Sequence, residues 1–543
     1  MARTESHSDR ADRGTGRWAY LIVVACTLWH IWAAGHYTVF DDEAFSCRRY
    51  TLPMREMLVA LWHGAEPDPP LYYIAQNLCV RALGVGPLEL RAVSITLFAA
   101  GLLMIRAAAA AWFDRTTALA AMVICALHPA HLMLGFAARW YSAMFLAVAW
   151  LMWATATLRG DPRSASEAVL SKPQSERIGW RVLHWSLAAA TVCYINYFGP
   201  VLVGLFWLVG IGANPRKSGR WLIAILVAML LYAPWAPAFW RQLMSFPDIS
   251  GGWRSAAATA ARTAMALTTG SVASVQAWWV WGPMAMFAAC AVALLVRYRR
   301  SAGGIALVVL GCIAAGAASR TMLDKYVLSF SGITGVLIAS LLRRGLAEPA
   351  RDRRLAATIA TTALASAWIG CGVNLARGQH LASLRWHDPF AKVVQDLLHD
   401  RTAPPADQWV MSHPSAWYYF GLESMRSRAV ADDAIRVDPT AWRRLAVPGE
   451  TMDMTRVPLT AEAMLPRLAL ESPDRILTIE AADFADSPSW KNLQETLEAG
   501  YFVERERTWL EDHDSALKDR IDPRFHHPRW RITVRFWRRI PSS

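Results

Sequence analysis

The chain has 543 residues, 54% of them hydrophobic and 18% charged, with a formal net charge of +13. From Arg377 onward basic and acidic residues nearly balance, 23 against 25, so the positive excess lies in the apolar part of the chain and excludes nothing more than it explains: no nucleic-acid partner is implied. The eight cysteines scatter without metal-type spacing, which excludes a cysteine-built metal centre.

Apolar runs of roughly 16 to 24 residues recur from Trp18 to Ala376, long enough to cross a hydrocarbon core of about 30 Å. They predict a polytopic α-helical membrane protein with about eleven spans. A tail of residues 1–17 precedes a transmembrane domain over 18–376, and 377–543 form a separate α/β domain. The spans fall at residues 18–40, 89–111, 117–135, 140–158, 182–196, 198–212, 221–240, 277–296, 304–319, 326–342 and 355–376. Val182 to Gly212 is nearly unbroken; Asn196, Gly199 and Pro200 divide it into two helices, whereas one tilted helix would invert everything downstream.

Loop charge sets the orientation, because short loops rich in Lys and Arg stay in the cytoplasm. Even-numbered spans exit into Arg115, Arg159 to Arg181, Arg216 with Lys217 and Arg220, Arg297 with Arg299 and Arg300, and Arg343 to Arg354. This places the N-terminus in the cytoplasm of a bacterial cell, the protein in its cytoplasmic (inner) membrane, and the region after residue 376 in the periplasm. The first apolar segment is too long for a signal-peptide core and reads as a retained anchor.

The first external loop, residues 41–88, carries helical spacing at Met54 to Trp62 and Leu71 to Leu83, which predicts two helices lying on the membrane surface. Cys47 and Cys79 share this loop, where an oxidising compartment would allow them to pair. In the tail, strand patterns at 408–412, 428–431, 475–480, 501–508 and 531–537 interleave with helical patterns at 390–398, 459–470 and 490–499.

Four external features carry possible chemistry. Asp41, Asp42 and Glu43 sit where the first span ends, and carboxylates beside the orphan carbonyls of a helix C-terminus call for a compensating cation, metal or substrate. Asp68-Pro69-Pro70-Leu71-Tyr72-Tyr73 holds a carboxylate beside an aromatic pair on a backbone stiffened by two prolines. Arg139-Trp140-Tyr141 opens the fourth span, where an arginine is unfavourable unless an anion lies nearby. Arg320, Lys325 and Tyr326 stand at the mouth of the tenth span. Each has a bland counterpart: Arg139 as a snorkelling side chain, Lys325 as an interfacial anchor, the prolines as a turn. Together they place carboxylates and cations on one side of the membrane, as sugar transfer from a lipid phosphate requires: a base for the acceptor and cations for the departing phosphate.

The ordered strings DDEAFS, PDPPLYY, LELRAVS, ARWYSAMF, NYFG and YAPWAPAF resemble the GT-C membrane glycosyltransferases, specifically the bacterial relatives of protein O-mannosyltransferases and of the lipid A aminoarabinose transferase. The resemblance spans residues 18 to 345. It implies transfer of a sugar from a polyprenyl-phosphate-linked donor, with inversion, to a lipid, glycan or protein acceptor at the external face. By the same resemblance Asp42 is the catalytic base and Glu43 its partner, while Arg91, Arg139 and Tyr141 match substrate-binding positions; Asp41, Asp68, Tyr72, Arg320, Lys325 and Tyr326 are expected to bind substrate from their place among the external features. The chain departs from its relatives at Asp68 (commonly His), Ala138 (acidic), Asn196-Tyr197 (often His-Tyr) and Lys325-Tyr326 (often Arg-Tyr), which weakens any implied divalent metal. The rival readings are a transporter or flippase of a lipid-linked substrate and a non-catalytic assembly protein. Transporters set ionisable groups near the midplane within internal repeats; here charge gathers at the external rim and no repeat is visible, which favours the enzyme.

Overall fold

The computed structural model describes residues 7–37, 39, 41–64, 68–160, 174–245, 260, 263–264, 266–269, 278–319, 324–376, 393, 397, 408–411, 464–465, 468, 474–481, 488–511 and 530–541. They divide into two compact units: Met1–Ala34, Arg55–Ala75 and Arg91–Ala382 in the first; Gly35–Met54, Gln76–Leu90 and Ser383–Ser543 in the second.

In chain order the helices are α1 (His7–His36), α2 (Asp41–Tyr50), α3 (Met54–Trp62), α4 (Pro70–Leu83), α5 (Pro87–Trp112), α6 (Arg115–Leu127), α7 (Pro129–Leu134), α8 (Tyr141–Arg159), α9 (Gln174–Ile195), α10 (Gly199–Ala213), α11 (Ser218–Tyr232), α12 (Ala236–Ser245), α13 (Trp278–Ser319), α14 (Asp324–Ala347) and α15 (Arg351–Ala376). Among the described residues seven helical stretches are long and apolar enough to cross a membrane, with α6 and α10 as shorter apolar helices. Protein-spanning helices are the stable solution for such runs, because they satisfy every backbone group internally where no water can.

The expected spans map onto these helices with three local differences. The span at 117–135 is α6 followed by α7, divided at Pro129, which cannot donate to the ladder. The span at 221–240 is α11, a 3-10 turn at Ala233–Trp235 around Pro234, and α12. The spans at 277–296 and 304–319 join without a loop in α13, at Tyr298, whose φ of −98° and ψ of 18° leave the helical region. Tyr298 then donates its hydroxyl to Glu348 at 2.9 Å, tying this bend to the turn between α14 and α15; that hydrogen bond, opposed by burial and helped by Arg353, holds the Glu348 carboxyl below its ordinary value.

The long run at 182–212 is two helices. An ideal Cβ on Gly199 would lie 2.6 Å from the carbonyl oxygen of Val192, seven residues back, a close approach that a straight helix does not give. Asn196 closes the turn by accepting from the Phe198 N–H at 2.8 Å. The helices α8 and α14 lie deepest, with 78% of each span buried, against 22% for α1. Close approach there depends on small residues: Cβ atoms on Gly332 and Gly335 of α14 would meet Phe145 of α8 and Cys125 of α6 at 2.8 and 2.6 Å.

In the second unit α2 was not anticipated. The acidic cluster begins a helix at Asp41 instead of trailing α1, which ends at His36, so the positive end of a helix dipole and not the negative end meets residues 41–43. Asn77 of α4 donates to the carbonyls of Tyr50 and Leu52 at 2.6 and 2.8 Å, fixing the turn that follows α2. Cys47 and Cys79 are free thiols, so the pairing that their shared loop allowed is not made; the Cys79 thiol donates to Glu89 O at 3.7 Å.

The tail forms a four-stranded sheet of β1 (Gln408–Met411), β2 (Arg475–Ala481), β3 (Tyr501–Glu511) and β4 (Trp530–Arg539) in the order β1-β2-β4-β3. The β1–β2 pair is parallel and the others antiparallel, with an irregularity between Val503 and Arg505. Helix α16 (Pro488–Gly500) buries Trp490, Leu493 and Leu497 with Ile476, Tyr501 and Trp537. The strand expected at 428–431 lies outside the described residues, as does most of the helical pattern at 390–398 and 459–470.

Gly199→Leu should destabilise the protein by about 1–3 kcal/mol through overpacking against α9, read as a lower unfolding temperature in detergent. An unchanged midpoint would mean that the reversal at Asn196 to Gly199 is not close-packed.

Candidate active site

The segment that opens α4 delivers a carboxylate to a buried arginine. Pro69 and Pro70 hold extended backbone and then open α4 at a position that needs no N–H, so Asp68 is fixed just ahead of the helix and is buried there. Tyr73, in the first turn, donates its hydroxyl to Asp68 Oδ2 at 3.3 Å. Arg139 Nη2 donates to the same oxygen at 3.1 Å, and Arg139 Nη1 to the Tyr73 hydroxyl at 3.4 Å. The charged side chains are only 11% and 6% exposed. The anion that an arginine before α8 called for is therefore supplied from within the chain, 71 residues away.

Tyr72 faces elsewhere, because successive helical residues turn by about 100°. Its hydroxyl lies 2.9 Å from Ser94 Oγ, and Ser94 donates onward to Arg139 O at 3.4 Å, so Tyr72 is the donor to Ser94. Arg91, expected to bind substrate, is fully buried on α5; its Nη1 donates to Ala34 O in the last turn of α1 at 2.9 Å, and its guanidinium stands 5.1 Å over the Phe136 ring. Tyr141 is buried at the start of α8 with its ring edge-on to Trp140, centroids 4.8 Å apart.

The segment that carries Arg139, between α7 and α8, is tied by side-chain donors from three helices. Trp29 and His30 of α1 donate to Leu132 O and His131 O, each at 3.0 Å, capping the last turn of α7. Ser142 of α8 donates to Gly135 O at 2.6 Å, and Ser94 of α5 makes the bond already described. His131 Nδ1 donates to Cys125 O at 2.6 Å, and its Nε2 lies 2.5 Å from Ser331 Oγ; His128 accepts from Ala130 N–H and donates to Leu267 O. Since carbonyls only accept and N–H groups only donate, these partners fix the Nε2–H tautomer of His128.

A second brace grips α3. Gln242 donates to Leu61 O at 2.7 Å and Arg241 to Trp62 O at 3.3 Å, both carbonyls of the last turn of that helix. Tyr197 donates to Gln242 Oε1 at 2.7 Å and accepts from Trp235 Nε1 at 3.1 Å. Burial pushes the Tyr197 phenol up to about 12, with the Trp235 hydrogen bond acting against this and the charge of Asp68 adding to it.

In the second unit Glu43 is fully buried, one helical turn before Cys47. Burial, and then the Glu43 charge, push the Cys47 thiol up. The side chains of Asp41, Asp42, Lys325 and Tyr326, and all of Arg320, lie outside the described residues; Asp41 and Asp42 occupy the first turn of α2, and Lys325 and Tyr326 that of α14. Among the described residues no three His, Cys, Asp or Glu side chains are grouped so as to hold a metal ion. Sequence reasoning missed Tyr73 as the partner of Asp68 and Arg139, the braces at Trp29, Arg241 and Gln242, and the histidines at 30, 128 and 131. The only signal for these was the run of polar residues at apolar positions.

No family model matches the sequence, and no curated protein matches it. Solved structures do. The chain is similar to ArnT from Cupriavidus metallidurans in the apo state, with a TM-score of 0.53 and 13% identity over 96% of this chain and 98% of that one. It is similar to the same protein bound to undecaprenyl phosphate, with a TM-score of 0.50 and 13% identity over 95% and 98%. The apo oligosaccharyltransferase of Archaeoglobus fulgidus aligns at 10% identity over 90% of this chain and 69% of its own, with a TM-score of 0.48. The chain thus has, over nearly its whole length, the polytopic fold of the GT-C membrane glycosyltransferases.

Proposed function

We propose that this protein is an integral membrane glycosyltransferase that transfers a sugar from a polyprenyl-phosphate-linked donor to a lipid, glycan or protein acceptor at the external face of the membrane, with inversion. The observation that carries the reading is Arg139: a buried, fork-shaped cation held on a braced loop, beside a carboxylate and a phenol, in a chain that shares its fold with an undecaprenyl-phosphate-binding protein. A guanidinium in a low-dielectric setting is the best protein partner for a phosphate diester, since it offers two parallel donors and does not lose its charge.

In this reading Asp42 takes the acceptor hydroxyl proton as the oxygen attacks the anomeric carbon, and Arg139 stabilises the charge that gathers on the departing phosphate. Arg320 and Lys325 supply further positive charge, and Glu43, buried in α2, positions the start of that helix. The membrane is the bacterial cytoplasmic one, with residues 1–17 inside and a domain over 377–543 in the periplasm, on the strength of the basic loops after Arg159, Arg216, Arg297 and Arg343.

Asp42→Asn should lower transfer by about 10² to 10⁴, with the protein still inserted and abundant; wild-type turnover by the purified variant would remove the proposed base. Arg139→Lys keeps a charge for Asp68 but loses the fork. It should raise the donor KM by about tenfold, the worth of one charge-assisted hydrogen bond, and leave the acceptor KM in place; donor-dependence kinetics in nanodiscs decide this, and an unchanged donor KM would make Arg139 a packing residue. Reporter fusions after Gly160, Ser218, Arg300 and Arg351 should report cytoplasm, and those after Gly64, Ser250 and Asp407 periplasm. A cytoplasmic signal at Asp407 would reject the proposed orientation.

A further inference from the structure

Three arginine-rich segments meet where Tyr298 and Glu348 join. The elbow of α13 carries Arg297, Arg299 and Arg300, the end of α14 Arg343 and Arg344, and the start of α15 Arg351, Arg353 and Arg354. Against these eight arginines stand two acids, Glu348 and Asp352, which leaves an excess of six positive charges. Hydrogen bonds bring the segments together: the Tyr298 hydroxyl donates to one Glu348 carboxylate oxygen at 2.9 Å, Arg353 Nη1 donates to the other at 2.6 Å, and Arg344 Nη1 donates to Ser301 Oγ.

Loop charge alone asks that cations lie on one side of a membrane, and it does not ask that they converge. Here they converge where little protein anion is left over. Both Glu348 carboxylate oxygens are taken, and the Glu348 carbonyl accepts from Arg354 Nε and Nη2 at 3.4 and 3.3 Å. Arg299, Arg300 and Arg351 are exposed and make no hydrogen bond or ion pair among the described residues. Arg344 is held in place, with one donor on Ser301 and its guanidinium 5.5 Å over the Phe113 ring, and its other N–H groups make no hydrogen bond among the described residues. A positioned guanidinium with free donors, surrounded by unpaired positive charge, suits a phosphate.

The surroundings separate a lipid from a soluble acidic partner. Each half of α13 is about 20 residues long, enough to cross a hydrocarbon core, which sets the elbow at the edge of that core. On the same three helices, beside the arginines, Val296, Leu346 and Leu355 are 64%, 42% and 56% exposed. Exposed apolar side chains next to exposed arginines would be wasted on a water-soluble anion, whereas a phospholipid presents a charged headgroup and an apolar chain at that same boundary.

We propose that this corner is a binding site for an anionic phospholipid, with the headgroup phosphate on Arg344 among the elbow arginines and the acyl chains along the exposed apolar residues of the same helices. The inference is independent of the reading of Arg139.

The test offers the detergent-solubilised full chain equal amounts of phosphatidylglycerol and phosphatidylcholine with the same acyl chains, and native mass spectrometry counts the lipid that stays bound. Wild type should retain phosphatidylglycerol over phosphatidylcholine by about tenfold or more, since each arginine near an anionic headgroup is worth about fivefold. The triple variant Arg297→Gln, Arg299→Gln, Arg300→Gln should bring the ratio close to one. Removing the same charge between α10 and α11, with Arg216→Gln, Lys217→Gln and Arg220→Gln, should leave the ratio unchanged. A wild-type ratio near one overturns the proposal and leaves these arginines to membrane topology alone. So does a triple variant that keeps the wild-type ratio, or an equal loss in the α10–α11 variant, which would trace the preference to the charge of the whole face. Should the elbow triple not fold, the three single substitutions replace it, and the proposal falls unless at least one lowers the ratio by about fivefold.

Discussion

The constraint on which the rest depends is that helix-end carbonyls cannot be left bare in an apolar surrounding. A site built at the ends of broken helices creates many of them, and here named side chains answer them. Arg91 takes Ala34 O at the end of α1; Trp29 and His30 take Leu132 O and His131 O at the end of α7; His131 takes Cys125 O at the end of α6; Gln242 and Arg241 take Leu61 O and Trp62 O at the end of α3. Four of these six bonds are buried. They make the irregular segment around Arg139 as determinate as the helices it connects.

That rigidity bears on the electrostatics. A buried ion pair gains little net stability over apolar packing, yet losing one partner leaves a charge stranded out of water and costs about 3–5 kcal/mol. Asp68 and Arg139 are therefore mutually dependent for folding, while the Tyr73 hydroxyl bridges them.

The expectation that the residue before α8 needs an anion was met by a partner that the same sequence pass had singled out separately, Asp68, without the two being connected. Local rules read each of them correctly: prolines opening α4, an arginine misplaced at a helix start. The acidic cluster shows the opposite case. Reading it as the end of α1 made three carboxylates look uncompensated, whereas a second helix begins at Asp41 and the dipole argument changes sign. Four residues between His36 and Asp41 separate the two readings, and no periodicity extends across so short a gap.

What the sequence determined by itself was the set of apolar helices, the two helices at Met54–Trp62 and Pro70–Leu83, the reversal at Asn196 to Gly199 and most of the strands of the tail sheet. Those follow from desolvation of local runs and from backbone preferences of Pro, Gly and Asn, which act within a few residues. Only the tertiary structure decided that Tyr73 and not Tyr72 joins Asp68 and Arg139, that Arg91 caps α1, and that Tyr197, Trp235 and Gln242 form one chain of hydrogen bonds onto α3. The physical reason is that a hydrogen bond is specified by position and direction in space, and groups separated by 38 to 181 residues reach each other only after the helices between them have packed.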